Sequence, residues 1–323
     1  MQALTAAIFG LSGPELTAEE ERFFQESQPV GYILFVRNIK SKAQLSDLTD
    51  KLKSISGKSA PILIDQEGGR VQRVVPPLAK KKYPAANDIA QKYQESPAKC
   101  AKKVERNYKE IGTELKKFGF SVNCAPVLDL LQDDTTTAIA SRTFGADPAQ
   151  VTDLGAAAVR GLLAAGIIPV IKHMPGHGRA TVDSHHELPV IHASREELNA
   201  TDFVPFDKLT FEFGHQIWAM TSHLKIPSIG KSPVTYSERI VQNIIRDQFD
   251  FDGILLTDDI DMHALDDTYA ERTLRALEAG HDIVLQCNGD LDCMRQVAEV
   301  CPALSPESEK RFYRSQIKSS AAK

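Results

Sequence analysis

The sequence predicts an α/β fold that forms one domain, a (β/α)8 barrel of the TIM type. Eight short apolar runs rich in β-branched residues recur along the 323 residues. Their near-continuous hydrophobicity is typical of parallel strands that are covered on both faces. Segments with a helical period separate the runs, and no Pro/Gly/Ser-rich linker or internal repeat divides the chain. Eight alternations of strand and helix favour a closed barrel over an open doubly wound sheet.

The predicted elements follow one another in a regular order. The strands are expected at residues 4–9, 31–36, 61–65, 120–125, 167–172, 216–221, 253–257 and 282–286. Between them, Leu45, Leu48 and Leu52 illustrate the apolar face of an amphipathic helix. Residues that commonly cap, start or stop helices mark further boundaries. These are Ser41, Ser96 with Pro97, Ser237, and Gly280 after the stretch 269–279.

The C-terminal part of the chain differs in composition from the rest. After Leu304 the sequence becomes polar and basic. We therefore assign residues 1–302 to the barrel, which would carry the active site, and residues 303–323 to a polar surface helix or tail.

Composition excludes several classes of protein. The chain has 38 Lys and Arg against 43 Asp and Glu, a net charge of -5, which predicts no general binding to nucleic acid or to an anionic membrane. There is no basic region before the first apolar stretch and no run of about 18 apolar residues, so a cytoplasmic location without a membrane span is expected. The five cysteines include no CxxC pair, which favours reduced thiols over disulfides or a zinc site.

The chemistry should lie where the strands end, because active sites of such barrels form at the C-terminal ends of their strands. The third run leads into DQEGGRVQR at residues 65–73, the fifth into KHMPGHG at residues 172–178, and the seventh into Asp258 and Asp259. Because adjacent residues of a strand point in opposite directions, one of the two aspartates is expected to face the barrel mouth. The other would cap the next helix.

Asp183 and His185 form a second candidate pair in the loop after the fifth strand. A carboxylate two residues from an imidazole can accept its ring N–H and fix its tautomer, which would make His185 a proton donor. An isolated pair of this kind is more commonly two solvated loop residues. A carboxylate such as Asp258 opposite a proton donor is the arrangement that glycoside hydrolysis requires.

Other polar residues could bind a sugar. Lys172, Arg73 and Arg142 could donate to hydroxyls or to an amide carbonyl, and Asp65 could accept from hydroxyls. Each of these alone could equally be a salt-bridged surface residue. His173 and His177 could be buried, hydrogen-bonded histidines, and His223 could simply close the sixth strand. The sole tryptophan, Trp218, lies within a predicted strand and is expected in the core.

At these residues the sequence resembles the bacterial β-N-acetylhexosaminidases of glycoside hydrolase family 3, the single-domain cytoplasmic enzymes of peptidoglycan recycling. The resemblance covers most of the chain, and its most specific part is KHMPGHG followed by DSH. The remaining segments occur in the family's order. They are IDQEGGRVQR at 64–73, APVLDL at 125–130, SRTFGADP at 141–148 and LLTDDIDM at 255–262.

The resemblance implies a role for each matching residue. Asp258 would be the nucleophile of a retaining enzyme with a covalent glycosyl intermediate, and Asp183 with His185 its acid/base dyad. The expected contacts of the N-acetylglucosamine unit are Asp65, Arg73, Arg142, Lys172 and His173, with Arg70 a weaker match. No cofactor and no metal are implied. Met174 and Thr257 differ from the residues common in the family, but both changes leave the reactive groups in place.

Three other functions remain open at this stage. A metal-dependent hydrolase could use His173, His177, His185, His223 and Asp258 as ligands, although no HxH follows the first strand. A phosphorylase is conceivable because a histidine acid repels phosphate less than a carboxylate does. A sugar-binding barrel without turnover is the third. The expected partner is a small glycan or muropeptide, and a monomer is favoured.

Overall fold

A computed structural model describes residues 3–56 and 60–316, and it confirms the predicted (β/α)8 barrel. The parallel strands pair in chain order, and the first pairs with the last to close the barrel. The strands are β1 (Thr5–Phe9), β2 (Pro29–Leu34), β3 (Ile62–Ile64), β4 (Val122–Asn123), β5 (Ile168–Met174), β6 (Trp218–Thr221), β7 (Leu255–Asp259) and β8 (Ile283–Gln286).

Helices lie between successive strands as the periodicity predicts. They are α1 (Ala18–Ser27), α2 (Lys42–Ser56), α3 (Ala86–Ala90), α4 (Pro97–Lys117), α5 (Thr137–Ala140), α6 (Pro148–Ala164), α7 (Arg195–Ala200), α8 (Val204–Phe213), α9 (Glu238–Ile240), α10 (Tyr269–Glu278), α11 (Leu291–Val300) and α12 (Pro306–Gln316). Helix α9 continues as a π-helix over Val241–Gln248. Short 3-10 turns cover Val36–Asn38, Gly214–Gln216 and Val234–Tyr236.

Most predicted helix boundaries are confirmed. The hydroxyl of Ser41 accepts from the Gln44 N–H at 3.2 Å, and that of Ser237 accepts from Ile240 at 3.3 Å. Ser96 precedes α4, but within the described helix its side chain makes no capping bond. Pro97 does begin α4, as the predicted pair of cap and first-turn residue requires.

Several strands differ in length from the prediction, and the differences at β4 and β5 affect the site. Strand β4 is short because Ala125 donates its N–H to Asn123 within the same segment and Pro126 has no N–H to offer. Strand β5 continues past its predicted end at Lys172, so His173 and Met174 also lie within the strand.

The core has two layers, one inside the barrel and one between the strands and the helices. Ile8 of β1 packs inside with Trp218, whereas its neighbours Ala7 and Phe9 pack against the helices. Both faces of the strands are therefore buried, as expected for a parallel sheet. Trp218 is fully buried, which confirms its expected place in the core. The cysteines are free thiols, and all but Cys293 are buried.

Helix α12 lies against the N-terminal end of the barrel. Its Phe312 is 1% exposed and packs beside Trp218, with ring centroids 6.2 Å apart. Trp218 Nε1 donates to Ser315 Oγ at 3.0 Å, and Arg311 pairs with Asp282 at 3.0 Å. The polar stretch predicted as a surface helix thus contributes a buried ring to the barrel interior. The domain boundary between residues 302 and 303 stays a prediction, and residues 317–323 of that segment lie outside the described residues.

Across residues 3–56 and 60–316, none of the helices combines the length and apolar character needed to cross a bilayer.

Candidate active site

The C-terminal ends of the strands open into a cleft of about 330 Å³. Side chains from β5 and β7 and from the loops after β3, β4 and β5 line it. The cleft brings together every site residue that the sequence predicted. They are Asp65, Arg73, Arg142, Lys172, His173, Asp183, His185 and Asp258. Arg70 and His177 line the same cleft.

A buried cluster of five charged side chains forms one wall of the cleft. Lys172 Nζ lies 2.9 Å from Asp65 Oδ1 and 2.7 Å from Glu67 Oε1. Arg142 donates to the same Glu67 through Nη2 at 2.8 Å and Nε at 2.9 Å. Arg73 Nη2 lies 3.1 Å from Asp65 Oδ2. We call these five residues the ion cluster. Its three cations and two anions leave one net positive charge beside the cavity.

The ion cluster is ionised at neutral pH. Burial alone would raise the pKa of both carboxyl groups, but the nearby cations outweigh it. Lys172 and Arg73 hold the pKa of Asp65 well below its usual range, and Arg142 with Lys172 lowers the pKa of Glu67 to about 2. The carboxylates in turn raise the pKa of Lys172 against the effect of its burial. The cluster therefore presents fixed charges to whatever occupies the cleft.

Asp129 lies behind His173 and is fully buried. Its Oδ2 accepts from His173 Nδ1 at 2.7 Å, and its Oδ1 accepts the backbone N–H groups of His173 and His177 at 3.2 and 2.7 Å. Burial opposes ionisation, but the contacts with His173 lower the pKa of Asp129 to about 2. Burial also lowers the pKa of His177, to about 4, so that this imidazole is neutral.

Asp183 and His185 interact as the sequence predicted. Asp183 Oδ1 accepts from His185 Nδ1 at 2.6 Å and from its backbone N–H at 3.0 Å. Burial would raise the pKa of Asp183, but the hydrogen bonds from His185 lower it. The His185 side chain is 64% exposed, so its ring stands at the cleft mouth with Nε2 directed away from its carboxylate partner. An exposed loop histidine held in one tautomer is suited to transferring a proton.

Asp258 and Asp259 at the end of β7 both line the cleft. The register of β7 shifts between Leu256 and Asp259, which interrupts the strict alternation on which the expectation of one cleft-facing aspartate was based. Asp258 Oδ1 accepts the backbone N–H of Asp259 at 2.9 Å. Burial opposes ionisation, but the neighbouring His173 imidazole and this N–H outweigh it and lower the pKa of Asp258.

The sequence suggested that Asp259 caps the next helix, and the structure shows that it does not. Its Oδ1 accepts the backbone N–H groups of Asp261 and Cys287, at 3.0 and 3.1 Å, whereas α10 is capped by Thr268. Burial and the neighbouring Asp261 raise the pKa of Asp259 well above its usual range. The two neighbouring carboxyl groups therefore differ in the direction of their pKa shifts, and Asp258 is the one whose pKa is lowered. His223 Nε2 donates to the Asp259 carbonyl oxygen at 2.9 Å and so helps to hold the end of β7 in place.

Two side chains of the site were not predicted from the sequence. Glu67 lies within the segment DQEGGRVQR, and the sequence assigns it no role, although in the structure it pairs with both Lys172 and Arg142. Asp129 lies within the segment APVLDL after the fourth predicted strand, and the sequence assigns it no contact. The available signal for both was a carboxylate shortly after a predicted strand, at the end of the barrel where active sites form.

A metal site was one of the open alternatives. Among the residues that the structure describes, no group of three or more His, Cys, Asp or Glu side chains is arranged to hold a metal ion.

The barrel, the strand-end carboxylate and the imidazole–carboxylate pair define the chain as a glycoside hydrolase. Comparison with known proteins specifies which one. The model of the glycosyl hydrolase family 3 N-terminal domain matches residues 6–318. A β-hexosaminidase of Stenotrophomonas maltophilia is 33% identical over 286 residues, which cover 88% of this chain and 84% of that protein. One of Idiomarina loihiensis is 31% identical over 320 residues, covering 97% and 93%.

Solved structures agree with these relatives. NagZ of Neisseria gonorrhoeae in complex with N-trifluoroacetyl-D-glucosamine superposes with a TM-score of 0.89 at 28% identity, covering 97% of this chain and 90% of that one. A family 3 β-N-acetylglucosaminidase of Paenibacillus superposes with a TM-score of 0.86 at 27% identity, covering 98% and 61%. The chain belongs to glycoside hydrolase family 3, and it is an enzyme of the β-N-acetylhexosaminidase type.

Proposed function

We propose that the chain is a retaining β-N-acetylglucosaminidase that removes terminal β-linked GlcNAc through a covalent glycosyl-Asp258 intermediate. One observation carries this proposal. An ionised carboxylate, Asp258, and an imidazole held by a carboxylate, His185 with Asp183, line one cleft of sugar size. These are the nucleophile and the proton donor that a two-step displacement at C1 needs. The N-trifluoroacetyl-D-glucosamine bound by the Neisseria protein supports an N-acetylated sugar as the substrate.

In the first step, Asp258 attacks C1 of the sugar. Its Oδ1 is occupied by the Asp259 N–H at 2.9 Å, so Oδ2 forms the new bond. The bond between C1 and the leaving oxygen breaks, and its electron pair stays on that oxygen, which takes a proton from His185 Nε2. Asp183 accepts the Nδ1–H at 2.6 Å and stabilises the charged ring before the transfer.

In the second step, water hydrolyses the glycosyl ester. Neutral His185 accepts a proton from the water as its oxygen attacks C1, and the electron pair of the ester bond returns to Asp258. Two inversions at C1 leave the β configuration unchanged. Because the His185 side chain is 64% exposed, its loop must close over the leaving oxygen in each step.

The ion cluster would bind the sugar. Lys172, Arg142 and Arg73 can donate to ring hydroxyls or to the acetamido carbonyl, and Asp65 can accept from hydroxyls. Because their partners already hold these side chains, little rotamer entropy is lost when the sugar binds. We place this activity in the cytoplasm, in a monomer that cleaves GlcNAc-anhydroMurNAc peptides during cell-wall recycling.

The first experiment measures release of aryl alcohol from an aryl β-GlcNAc glycoside and from the matching β-glucoside, each with EDTA present. The proposal expects turnover of the GlcNAc substrate alone, undiminished by EDTA. Loss of turnover with EDTA would indicate a metal-dependent hydrolase. GlcNAc-1-phosphate formed in phosphate buffer would indicate a phosphorylase, and absence of any turnover a binding protein.

The product and the substrate test the finer parts of the proposal. NMR of the first-formed GlcNAc should show the β anomer, and an α anomer would exclude a covalent intermediate with retention. Purified GlcNAc-anhydroMurNAc peptides should be cleaved with a higher kcat/KM than chitobiose. A preference for chitobiose would argue against the recycling role.

Variants test the two catalytic residues. Asp258→Asn should lower kcat on the order of a thousandfold or more, because the amide cannot form the ester. His185→Ala should lower kcat by about 100- to 10000-fold for a poor leaving group and far less for a dinitrophenyl one. His186→Ala is the matched control, since His186 is an exposed neighbour on the same loop. Equal losses with both leaving groups would refute His185 as the acid.

A further inference from the structure

Asp129 joins the end of the β4 segment to β5 immediately behind the cleft. Val127 pairs with Lys172 in parallel register, and Leu128 donates its N–H to the Lys172 carbonyl at 2.7 Å. This pairing continues the short strand β4 and brings Asp129 beside His173. None of the Asp129 side chain is exposed, so it cannot touch a ligand in the cleft. Any contribution it makes to the reaction must pass through a neighbour.

The two oxygens of Asp129 have separate partners. Oδ1 accepts two backbone N–H groups, from His173 at 3.2 Å and from His177 at 2.7 Å. Oδ2 lies 2.7 Å from His173 Nδ1. Because a carboxylate at neutral pH can only accept, the proton of this contact belongs to Nδ1.

The other ring nitrogen of His173 faces the cleft. Its Nε2 lies 3.5 Å from Arg142 Nη2, and a guanidinium can only donate hydrogen bonds. Nε2 must therefore offer a lone pair to Arg142. The contacts on the two sides of the ring agree on one tautomer, with the proton on Nδ1 and a lone pair on Nε2.

We propose that Asp129 is a positioning residue that fixes His173 in its Nδ1–H tautomer, so that Nε2 serves the cleft as a hydrogen-bond acceptor. In the free enzyme this acceptor takes a long hydrogen bond from Arg142. When a sugar binds, one of its hydroxyl groups replaces Arg142 as the better placed donor to Nε2. This inference rests on the proposed function only for the identity of the ligand, since the tautomer is a property of the free protein.

The exchange Asp129→Asn tests this directly, because the backbone dictates how the new amide is oriented. The two N–H groups at Oδ1 require an acceptor, so the amide oxygen takes that place and the amide nitrogen faces His173. The nitrogen then donates to Nδ1, and the ring proton moves to Nε2. The same exchange behind a catalytic histidine is known to preserve geometry while reversing the tautomer.

The primary measurement is two-bond ¹H–¹⁵N correlation NMR of the full chain labelled with ¹⁵N-histidine, with His173→Ala used to assign the His173 signals. We expect a protonated Nδ1 and an unprotonated Nε2 in the native protein, and the reverse in Asp129→Asn. An unchanged tautomer in the variant would overturn the proposal, as would a native ring protonated on both nitrogens.

Kinetics on an aryl β-GlcNAc glycoside separate positioning from a merely structural role. Asp129→Asn should raise KM about 10- to 100-fold with a smaller change in kcat, because an acceptor becomes a donor toward the same hydroxyl. In a His173→Ala background, Asp129→Asn should raise KM little further, because the imidazole through which Asp129 acts is absent. If Asp129→Asn raised KM by the same factor in that background, the proposal that Asp129 acts through His173 would be refuted.

A buried carboxylate at the opposite end of the barrel provides the matched control. Asp282 is similarly buried and pairs with Arg246, so Asp282→Asn should lower stability without changing the His173 signals. If the native enzyme does not cleave the glycoside, the proposed function fails, but the NMR result still decides the tautomer.

Discussion

Removing the charge of Glu67 is the sharpest test of how the cleft is held together. Glu67 accepts two charge-assisted hydrogen bonds from Arg142, at 2.8 and 2.9 Å, and its Oε1 forms an ion pair with Lys172 Nζ at 2.7 Å. In Glu67→Gln the shape is kept, but two buried cations lose their shared anion. Breaking a buried ion pair by neutralising one partner costs about 3–5 kcal/mol. We expect the free energy of unfolding to fall by that amount.

The pKa of Glu67 gives a second estimate of the same quantity. Its fall from the ordinary value of 4.5 to about 2 corresponds to about 3 kcal/mol. Between about pH 2 and pH 4.5, Glu67 stays ionised in the folded state, whereas in the unfolded state it binds a proton. This contribution is therefore complete above pH 4.5 and is lost as the pH falls toward 2. The stability difference between native protein and Glu67→Gln should narrow over the same window.

Urea denaturation followed by the fluorescence of Trp218 is the assay, because this single tryptophan is fully buried. Glu21→Gln is the control. Its pair with Lys51 is exposed, with side-chain exposures of 36% and 42%, and such pairs contribute only about 0–1 kcal/mol. A loss below about 1 kcal/mol for Glu67→Gln, or a difference independent of pH, would refute the view that Glu67 anchors the cluster.

Two further substitutions test the loop and the C-terminal helix. A Cβ at Gly178 would lie 1.8 Å from the Leu130 carbonyl oxygen, so Gly178→Ala should shift the loop that carries the acid and lower aryl glycoside turnover by at least about tenfold. Gly13→Ala should leave turnover unchanged, because a Cβ there would have no atom within 4 Å apart from its chain neighbours. Equal turnover by the two variants would contradict the expectation. Phe312→Ala should lower the unfolding free energy by about 3–5 kcal/mol in urea titrations, because it empties a fully buried position beside the barrel core. The neighbouring Tyr313, 41% exposed, provides the comparison, and similar losses for Tyr313→Ala would show that α12 packs differently.

The arrangement of the site depends on contacts that are distant in sequence. Lys172 and Asp65 are 107 residues apart, and His173 and Asp129 are 44 apart. No periodicity relates such pairs, so the sequence could nominate Lys172 and Asp65 separately but could not show that they pair, nor that Glu67 joins Lys172 to Arg142. For the same reason Asp129 stood in the sequence as one more polar residue after a strand.

The sequence by itself determined the order of strands and helices, the closed barrel as the favoured fold and the residues that stand at the cleft. These follow from local rules, because burial on both faces leaves continuous apolar runs and a parallel barrel collects its strand ends at one rim. The tertiary structure decided the rest. The register shift in β7 interrupts the alternation of the strand where Asp258 and Asp259 line the cleft, and their neighbours then distinguish the two, since His173 lowers the pKa of Asp258 and Asp261 raises that of Asp259. Phe312 is buried because the open end of the barrel accepts its ring, and neither a barrel end nor a shared counterion exists until distant segments have come together.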